Sequence, residues 1–137
     1  MPALALLLLV TCCGLNEKVV VNTKVVSPDK EFEAVSTTHL GGGAAGYVSD
    51  IIYLIKKGDN FATKDIVFES SHTKGLDIHW LENNLLVISY KDADIRGFCN
   101  KMFFDEKNGI YKVEVILEKK GDKRNPPLQT YLDEKAN

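Results

Sequence analysis

The stretch Leu76–Tyr90, with the sequence LDIHWLENNLLVISY, decides the fold. Apolar and polar residues alternate from Leu76 to Trp80, and a mostly apolar run, Leu85–Tyr90, follows Glu82-Asn83-Asn84; two such segments joined by turn residues are typical of a β-hairpin. A three-residue hairpin loop needs one residue in the left-handed backbone conformation, and Asn84 suits that position. The stretch is therefore predicted to form two antiparallel strands joined at this loop.

This loop sets the register of the two strands. The predicted pairs are Leu81 with Leu85, Trp80 with Leu86, Ile78 with Ile88, and Leu76 with Tyr90. One face of the hairpin is then entirely apolar or aromatic, because side chains alternate between the two faces of a strand. The other face carries Asp77, His79, Val87 and Ser89, and we expect it to face solvent. Because Trp80 lies on the apolar face, Trp80→Ala is predicted to cost about 3–5 kcal/mol of stability.

Short segments with strand-like patterns, separated by turn signals, fill the rest of the chain. Strands are predicted at about 19–26, 31–38, 47–55, 66–68, 98–104 and 110–118, with the polar residues 91–97 as a connection. Asn108-Gly109 is a strong hairpin signal, and no long apolar repeat of helical period occurs. The prediction is an all-β fold, namely an antiparallel meander, a sandwich or a partly open barrel of about seven to eight strands.

Composition limits the class of protein. The chain has 137 residues, of which 45% are hydrophobic, and a formal net charge of −2. These values are typical of one small domain with a packed core. There is no basic stripe with interleaved aromatic residues, so a nucleic-acid partner is not expected. No cofactor motif is found either.

The amino-terminal sequence resembles an export signal. Ala3–Val10 is apolar but too short to span a bilayer, and polar sequence follows Gly14. Leu9-Val10-Thr11-Cys12 resembles the bacterial lipobox, in which cleavage precedes a cysteine that carries lipid, although Thr11 replaces a smaller residue. Cys13 is the alternative lipidation site. An ordinary secretion signal and an uncleaved anchor are the other interpretations.

The chain is accordingly divided into four parts. We assign 1–11 to the signal peptide, 12–18 to a lipidated tether, 19–118 to the β-domain and 119–137 to a polar carboxyl-terminal tail. A disulfide between Cys13 and Cys99 is one option in an oxidising compartment. Because Cys13 would lie on a tether, the preferred interpretation is that both cysteines are free thiols or that Cys99 is a small, buried apolar residue.

Two groups of residues invite a chemical interpretation. The Gly-rich segment Gly41–Gly46 lacks the Lys-Ser or Lys-Thr of a phosphate loop and precedes a strand, so it is predicted to be a hairpin connection or a ligand-contacting loop. Asp77 and His79 share one strand face with Ser89 opposite, and they are the candidate binding residues. This set lacks the oxyanion donors of a catalytic triad, so no catalytic residue is assigned. No metal ligands are assigned, because the sequence does not bring His39, His72 and His79 together.

One family resemblance covers most of the predicted mature chain. Ser27-Pro28-Asp29, the Gly-rich segment, Asp50–Leu54 and the Trp80 hairpin with Asn83-Asn84 resemble small uncharacterised bacterial lipoproteins. Members of that group carry SPDG where this chain has Lys30 in the last position. The resemblance implies a β-domain and an envelope address, and it implies no activity.

The expected function follows from these features. We expect an envelope lipoprotein without enzymatic activity, anchored to a membrane by lipid on Cys12 and acting as a binding or structural module, with an envelope protein as a potential partner. In a cell with two membranes the outer membrane is the expected location. One alternative is a periplasmic inhibitor or small-ligand binder that uses Gly41–Gly46, and another is a metal-dependent enzyme at His79.

Overall fold

The computed structural model describes residues 17–42 and 46–122 together with Asp133 and Ala136. Within these residues the chain forms nine strands and one short 3-10 turn at Thr63–Asp65. The described residues contain no helix long and apolar enough to cross a bilayer. The strands are β1 (Lys18–Val26), β2 (Phe32–Leu40), β3 (Val48–Lys56), β4 (Ile66–Lys74), β5 (Asp77–Glu82), β6 (Leu85–Tyr90), β7 (Asp92–Phe98), β8 (Lys101–Glu106) and β9 (Gly109–Lys119).

The strands form two sheets that share one core. Sheet A has the order β1-β2-β3-β4-β7, and sheet B has the order β5-β6-β9-β8. The all-β prediction is therefore confirmed. The apolar faces of both sheets meet because each is too hydrophobic to face water. The buried core residues are Phe32, Ala34, Ile52, Leu54, Val67 and Phe68 from sheet A, and Ile78, Leu86, Ile88, Val113 and Val115 from sheet B.

The Trp80 hairpin forms β5 and β6 in nearly the predicted register. Trp80 pairs with Leu86 and Ile78 with Ile88, as predicted, and these side chains face the shared core. The loop differs, because Glu82 pairs with Leu85 and a register shift falls at Leu81. The pairing of Leu81 with Leu85 is therefore wrong.

The expected conformation of Asn84 is also wrong. Among the described residues other than glycine, only Lys30 and His72 have positive φ angles. The loop between β5 and β6 contains two residues, Asn83 and Asn84, and the irregularity at Leu81 absorbs the extra residue. Two-residue hairpin loops often contain left-handed residues, but neither Asn83 nor Asn84 has a positive φ angle here.

Two further features differ from the sequence prediction. The segment expected to be a polar connection is β7, an edge strand that pairs with β4. Most of its side chains are exposed, so its sequence needs no alternating apolar pattern. The expected strand at 98–104 is interrupted, because Cys99 N–H donates to the Val67 carbonyl in sheet A and Asn100 O accepts from Val115 N–H in sheet B.

One strand pair is parallel. β6 pairs with β9 in parallel, with Leu86 opposite Val115 and Ile88 opposite Leu117. A parallel pair needs a long crossover connection, and here that connection passes through β7 in sheet A and β8 in sheet B. Sheet B is therefore mixed rather than wholly antiparallel.

The conformation of the turn between β1 and β2 explains why the lipoproteins that this chain resembles have glycine where it has Lys30. Ser27 Oγ donates to Asp29 Oδ1 at 2.6 Å and accepts from Phe32 N–H at 3.0 Å. Lys30 closes the turn with a φ of 64°, and its N–H donates to the Ser27 carbonyl at 2.9 Å. An L-residue is strained in this conformation, whereas glycine is not.

Candidate functional site

A network of polar side chains surrounds His39 on sheet A. Thr37 and His39 lie two residues apart on β2, so they point to the same face, and Tyr53 joins them from the neighbouring strand β3. His39 Nδ1 lies 2.9 Å from Glu17 Oε1. His39 Nε2 lies 3.1 Å from both Thr37 Oγ1 and the Tyr53 hydroxyl. The network thus joins the start of the described chain to β2 and β3.

The hydrogen bonds fix the protonation pattern of a neutral His39 ring. Nδ1 faces a carboxylate, so it carries the proton and donates to Glu17. Nε2 is then an acceptor, and the Tyr53 hydroxyl donates to it. The Thr37 hydroxyl donates to the Ile51 carbonyl at 3.0 Å.

The pKa shifts in this network follow from the same contacts. The hydrogen bond from His39, and then that from Tyr47, lowers the pKa of Glu17 below its usual 4.5. Burial, and then the negative charge of Glu17, raises the pKa of Tyr53. The hydrogen bond to Glu17, and then desolvation, raises the pKa of Tyr47. Glu17 is therefore stabilised as the carboxylate, and both phenols stay protonated to higher pH than usual.

This series of a carboxylate, an imidazole and a hydroxyl does not make a catalytic triad. Thr37 is fully buried, with 0% of its surface exposed, and its proton is already donated to a backbone carbonyl. The Tyr53 phenol has a raised pKa, so it is a weaker source of the anionic nucleophile. The geometry instead holds the ends of β1, β2 and β3 together.

Tyr47 connects this network to the Gly-rich segment. Its hydroxyl donates to Glu17 Oε1 at 3.0 Å, and its carbonyl accepts from Gly41 N–H at 2.8 Å. The ring lies so close to Gly41 that a Cβ atom there would fall 2.1 Å from Cε1 of Tyr47. Only glycine fits at position 41 while the ring stays in place. Residues 43–45 of the Gly-rich segment lie outside the described residues.

Tyr47 also lines a cavity of about 410 Å³. We call it the Tyr47 pocket, and its polar lining includes Asp50, His72 and Arg96. Asp50 Oδ1 accepts a hydrogen bond from Thr38 Oγ1 at 2.9 Å, so the carboxylate is held in place. Gly46 also lines the cavity, which puts the end of the Gly-rich segment at its wall.

An irregular part of β4 contributes residues to the lining of the Tyr47 pocket. The pairing of β4 with β7 shifts between Ser71 and Lys74, and His72 has a φ of 51° at this point. His72 Nδ1 lies 2.9 Å from Asp94 Oδ2, and both side chains are exposed. Arg96 forms no ion pair with any residue in the described ranges. The irregularity thus presents His72 and Thr73 to the cavity.

The residues singled out from the sequence lie elsewhere. Asp77 is exposed on the edge strand β5, where Oδ1 accepts a hydrogen bond from Ile78 N–H at 3.0 Å. His79 is half-buried opposite Val87. The expectation that this face is open to solvent is wrong at its centre, since Val87 is 0% and Ser89 3% exposed. β6 is an interior strand with β5 and β9 on its two sides, so it is more enclosed than a hairpin strand on its own.

The remaining predicted positions can be placed as follows. His39 lies in β2 and His72 in β4 of sheet A, whereas His79 lies in β5 of sheet B. In the described part of the chain, no three His, Cys, Asp or Glu side chains are grouped as ligands for a metal ion. Cys99 is a free, half-buried thiol that packs against the core, and its Sγ lies 2.8 Å from the Lys101 carbonyl. Cys12 and Cys13 lie outside the described residues.

Sequence reasoning missed the His39 network and the residues of β4 and β7 that line the Tyr47 pocket. The alternation of Thr37 with His39 was a local signal for a shared strand face. Nothing local indicated that Glu17, 22 residues earlier, would bond to that histidine. Comparison with protein-family models, with curated proteins and with solved structures gives no match to this chain.

Proposed function

We propose that this protein is a lipid-anchored binding module of the bacterial cell envelope that takes up a small polar ligand in the Tyr47 pocket without transforming it. The observation that carries the proposal is the pocket itself, beside the Gly-rich segment that already suggested ligand contact. Its volume of about 410 Å³ falls within the range of small-molecule sites. Its lining offers several polar groups of the kind that fix the orientation of a ligand, among them Asp50, His72 and Arg96.

The polar groups favour a ligand that carries a negative charge and a hydroxyl or amine. Arg96 supplies a guanidinium that no described carboxylate neutralises, and such a group binds carboxylates or phosphates in a bidentate manner. The carboxylate of Asp50 is oriented by Thr38 and can accept a hydrogen bond from a ligand donor. Tyr47 is held by Glu17 and Gly41, so its side of the cavity is formed in advance.

Binding fits the geometry better than catalysis. The hydroxyls near His39 are buried and already hydrogen-bonded, and they lie in a network that ties strands together. At the pocket, His72 bonds to Asp94 and the Thr73 hydroxyl bonds to Ser70, so no hydrogen bond among the described residues pairs a nucleophile with His72 as hydrolysis requires.

Thermal unfolding with candidate ligands tests the pocket. Sugar phosphates, dicarboxylates and amino acids are each added in excess to the purified protein. A ligand at about 100 times its Kd adds about 2.7 kcal/mol to the stability, which raises Tm by about 10 °C. Arg96→Ala should abolish the rise. Lys64→Ala is the matched control, because Lys64 lines a second cavity formed with residues of β8. A rise that survives Arg96→Ala would place the ligand elsewhere.

Metabolic labelling with palmitate tests the tether. The intact chain is compared with Cys12→Ser and Cys13→Ser. Label that is lost only in Cys12→Ser assigns the lipid to Cys12, and label lost only in Cys13→Ser moves it to the alternative site. An intact chain that takes up no label would refute lipid anchoring while leaving the pocket untouched.

A further inference from the structure

An apolar surface lies at one end of sheet A. We call it the apolar rim, and it consists of six side chains that are between 36% and 53% exposed. They are Val19, Val20 and Val21 in β1, Leu40 at the end of β2, Tyr47 just before β3 and Val48 at its start. Because side chains alternate along a strand, Val20 points to the opposite face of the sheet from Val19 and Val21, so the rim spans the edge of the sheet rather than one face. Six of the eleven large hydrophobic side chains that are exposed in the described residues belong to this group. Such a concentration is typical of an interaction surface, whereas single exposed apolar residues are not.

Strand pairing gathers these residues although they are separate in the sequence. Lys18 pairs with Leu40, and Leu40 pairs with Val48, so the start of β1 and the tip of the β2–β3 hairpin lie side by side. From Ala34 to Ser49 the sequence contains no Asp, Glu, Lys or Arg. Charged side chains at the rim are therefore confined to Glu17 and Lys18 beside the start of β1.

The opposite end of sheet A has the contrary character. The turn at 28–31 and the segment 56–59 are rich in Lys, Asp and Glu. Lys56 Nζ donates to the Asp105 carbonyl at 2.6 Å and lies 3.5 Å from Glu106, so the β8–β9 turn lies at this charged end too. β3 alone, with its nine residues, separates the two ends by roughly 26 Å. The β1–β3 side of the domain thus has one apolar end and one charged end.

The position of the tether selects what the apolar rim meets. Cys12 precedes Glu17 by five residues, which span at most about 18 Å when fully extended. A lipid on Cys12 therefore keeps the start of β1 close to a bilayer. We propose that the apolar rim rests on the lipid bilayer, with its valines and leucine against the acyl boundary and Tyr47 at the level of the headgroups. An aromatic side chain with a polar end is favoured at that depth. This inference rests on the proposed tether.

The charged residues of neighbouring strands limit the contact area. Lys74, Asp94 and Arg96 lie at the same end of sheet A on β4 and β7, and Asp94 and Arg96 are exposed. Such groups remain in water or at the headgroups. The contact is therefore confined to the half of the sheet formed by β1, β2 and β3.

Tryptophan quenching by brominated lipid tests this orientation. Val20→Trp places a fluorophore on the rim without altering the Tyr47 pocket, and Ile110→Trp is the matched control at the charged end, where Ile110 is 71% exposed. Full-length lipidated protein is placed in vesicles of phosphatidylethanolamine and phosphatidylglycerol with or without bromine on the acyl chains. Trp80 in the unsubstituted protein gives the baseline.

The expected result is about a twofold loss of the emission added by Val20→Trp and no loss of that added by Ile110→Trp. If the protein sediments with the vesicles but the two variants are quenched equally, bilayer contact through the rim is refuted while lipid anchoring is unaffected. If the protein takes up no palmitate and added vesicles still quench the emission of Val20→Trp selectively, lipid anchoring is refuted while bilayer contact through the rim is supported. If the protein dimerises without vesicles and the emission maximum of Val20→Trp is then blue-shifted, the rim binds a second copy of the chain and the proposal is overturned.

Discussion

Removing the side chain of Trp80 should weaken the contact between the two sheets. Trp80 lies on β5, the edge of sheet B, and packs against the shared core. Its indole Nε1–H donates to the Val25 carbonyl on β1, the edge of sheet A, at 2.9 Å. One side chain thus contributes both apolar burial and a hydrogen bond between the sheets.

The magnitude follows from these two contributions. The sequence placed Trp80 on the apolar face of its hairpin and suggested a cost of about 3–5 kcal/mol, and the structure shows the side chain half-buried. Removing about 100 Å² of buried apolar surface costs about 2.5 kcal/mol. Loss of the hydrogen bond adds about 1 kcal/mol. We therefore expect about 3.5 kcal/mol for Trp80→Ala and about 1–1.5 kcal/mol for Trp80→Phe, which keeps most of the ring area.

Urea unfolding, monitored by far-ultraviolet circular dichroism, measures the stability cost of both substitutions without relying on tryptophan emission. Phe103→Ala is the matched control, because Phe103 is an aromatic residue on β8 that is 63% exposed, and its loss should change stability by less than about 0.5 kcal/mol. A Trp80→Ala cost as small as that of the control would refute the role of Trp80 between the sheets. Equal costs for Trp80→Ala and Trp80→Phe would show that ring burial contributes nothing beyond the hydrogen bond.

Four further substitutions test other parts of the structure. Gly41→Ala should displace the Tyr47 ring and break its hydrogen bond to Glu17. The raised pKa of the Tyr47 phenol should then return toward 10.0 in an ultraviolet titration. An unchanged titration curve would contradict the close contact between Gly41 and the ring. Glu17→Gln should lower Tm at pH 7, because the carboxylate of Glu17 is stabilised in the folded state, where its pKa is below 4.5. The difference in Tm between the variant and the wild type should disappear as the pH falls below that value, since Glu17 then becomes protonated. A difference in Tm that persists at low pH would exclude this cause. Lys30→Gly should stabilise the protein by about 0.5 kcal/mol in urea unfolding, because relief of the left-handed strain slightly exceeds the added chain entropy; destabilisation would show that the turn is not strained. Val87→Asp should cost at least about 3 kcal/mol, since the site is fully buried, whereas a neutral result would restore the solvent-facing interpretation of that face.

Local patterns in the sequence determined the strands and the turns between them. The register that gives Leu76–Tyr90 one wholly apolar face was enough to pair Ile78 with Ile88 and Trp80 with Leu86, because a shift by one residue would mix the two faces. The Asn108-Gly109 signal likewise gave the β8–β9 hairpin, in which β8 ends at Glu106 and β9 begins at Gly109. These features depend on neighbours within one hairpin, so the sequence contains what is needed to predict them.

Only the tertiary structure decided how the strands combine and what they place together. The parallel pairing of β6 with β9, the sheet position of β7 and the burial of Val87 depend on contacts between distant parts of the chain. The bond between Glu17 and His39, and the meeting of β1 with the β2–β3 hairpin tip at the apolar rim, depend on the β1–β2 register. Exposed edge strands show little hydrophobic periodicity in the sequence, because almost any side chain is tolerated where it faces solvent. For that reason the sequence determined the core of this protein, whereas its pocket and its rim emerged only when the sheets were assembled.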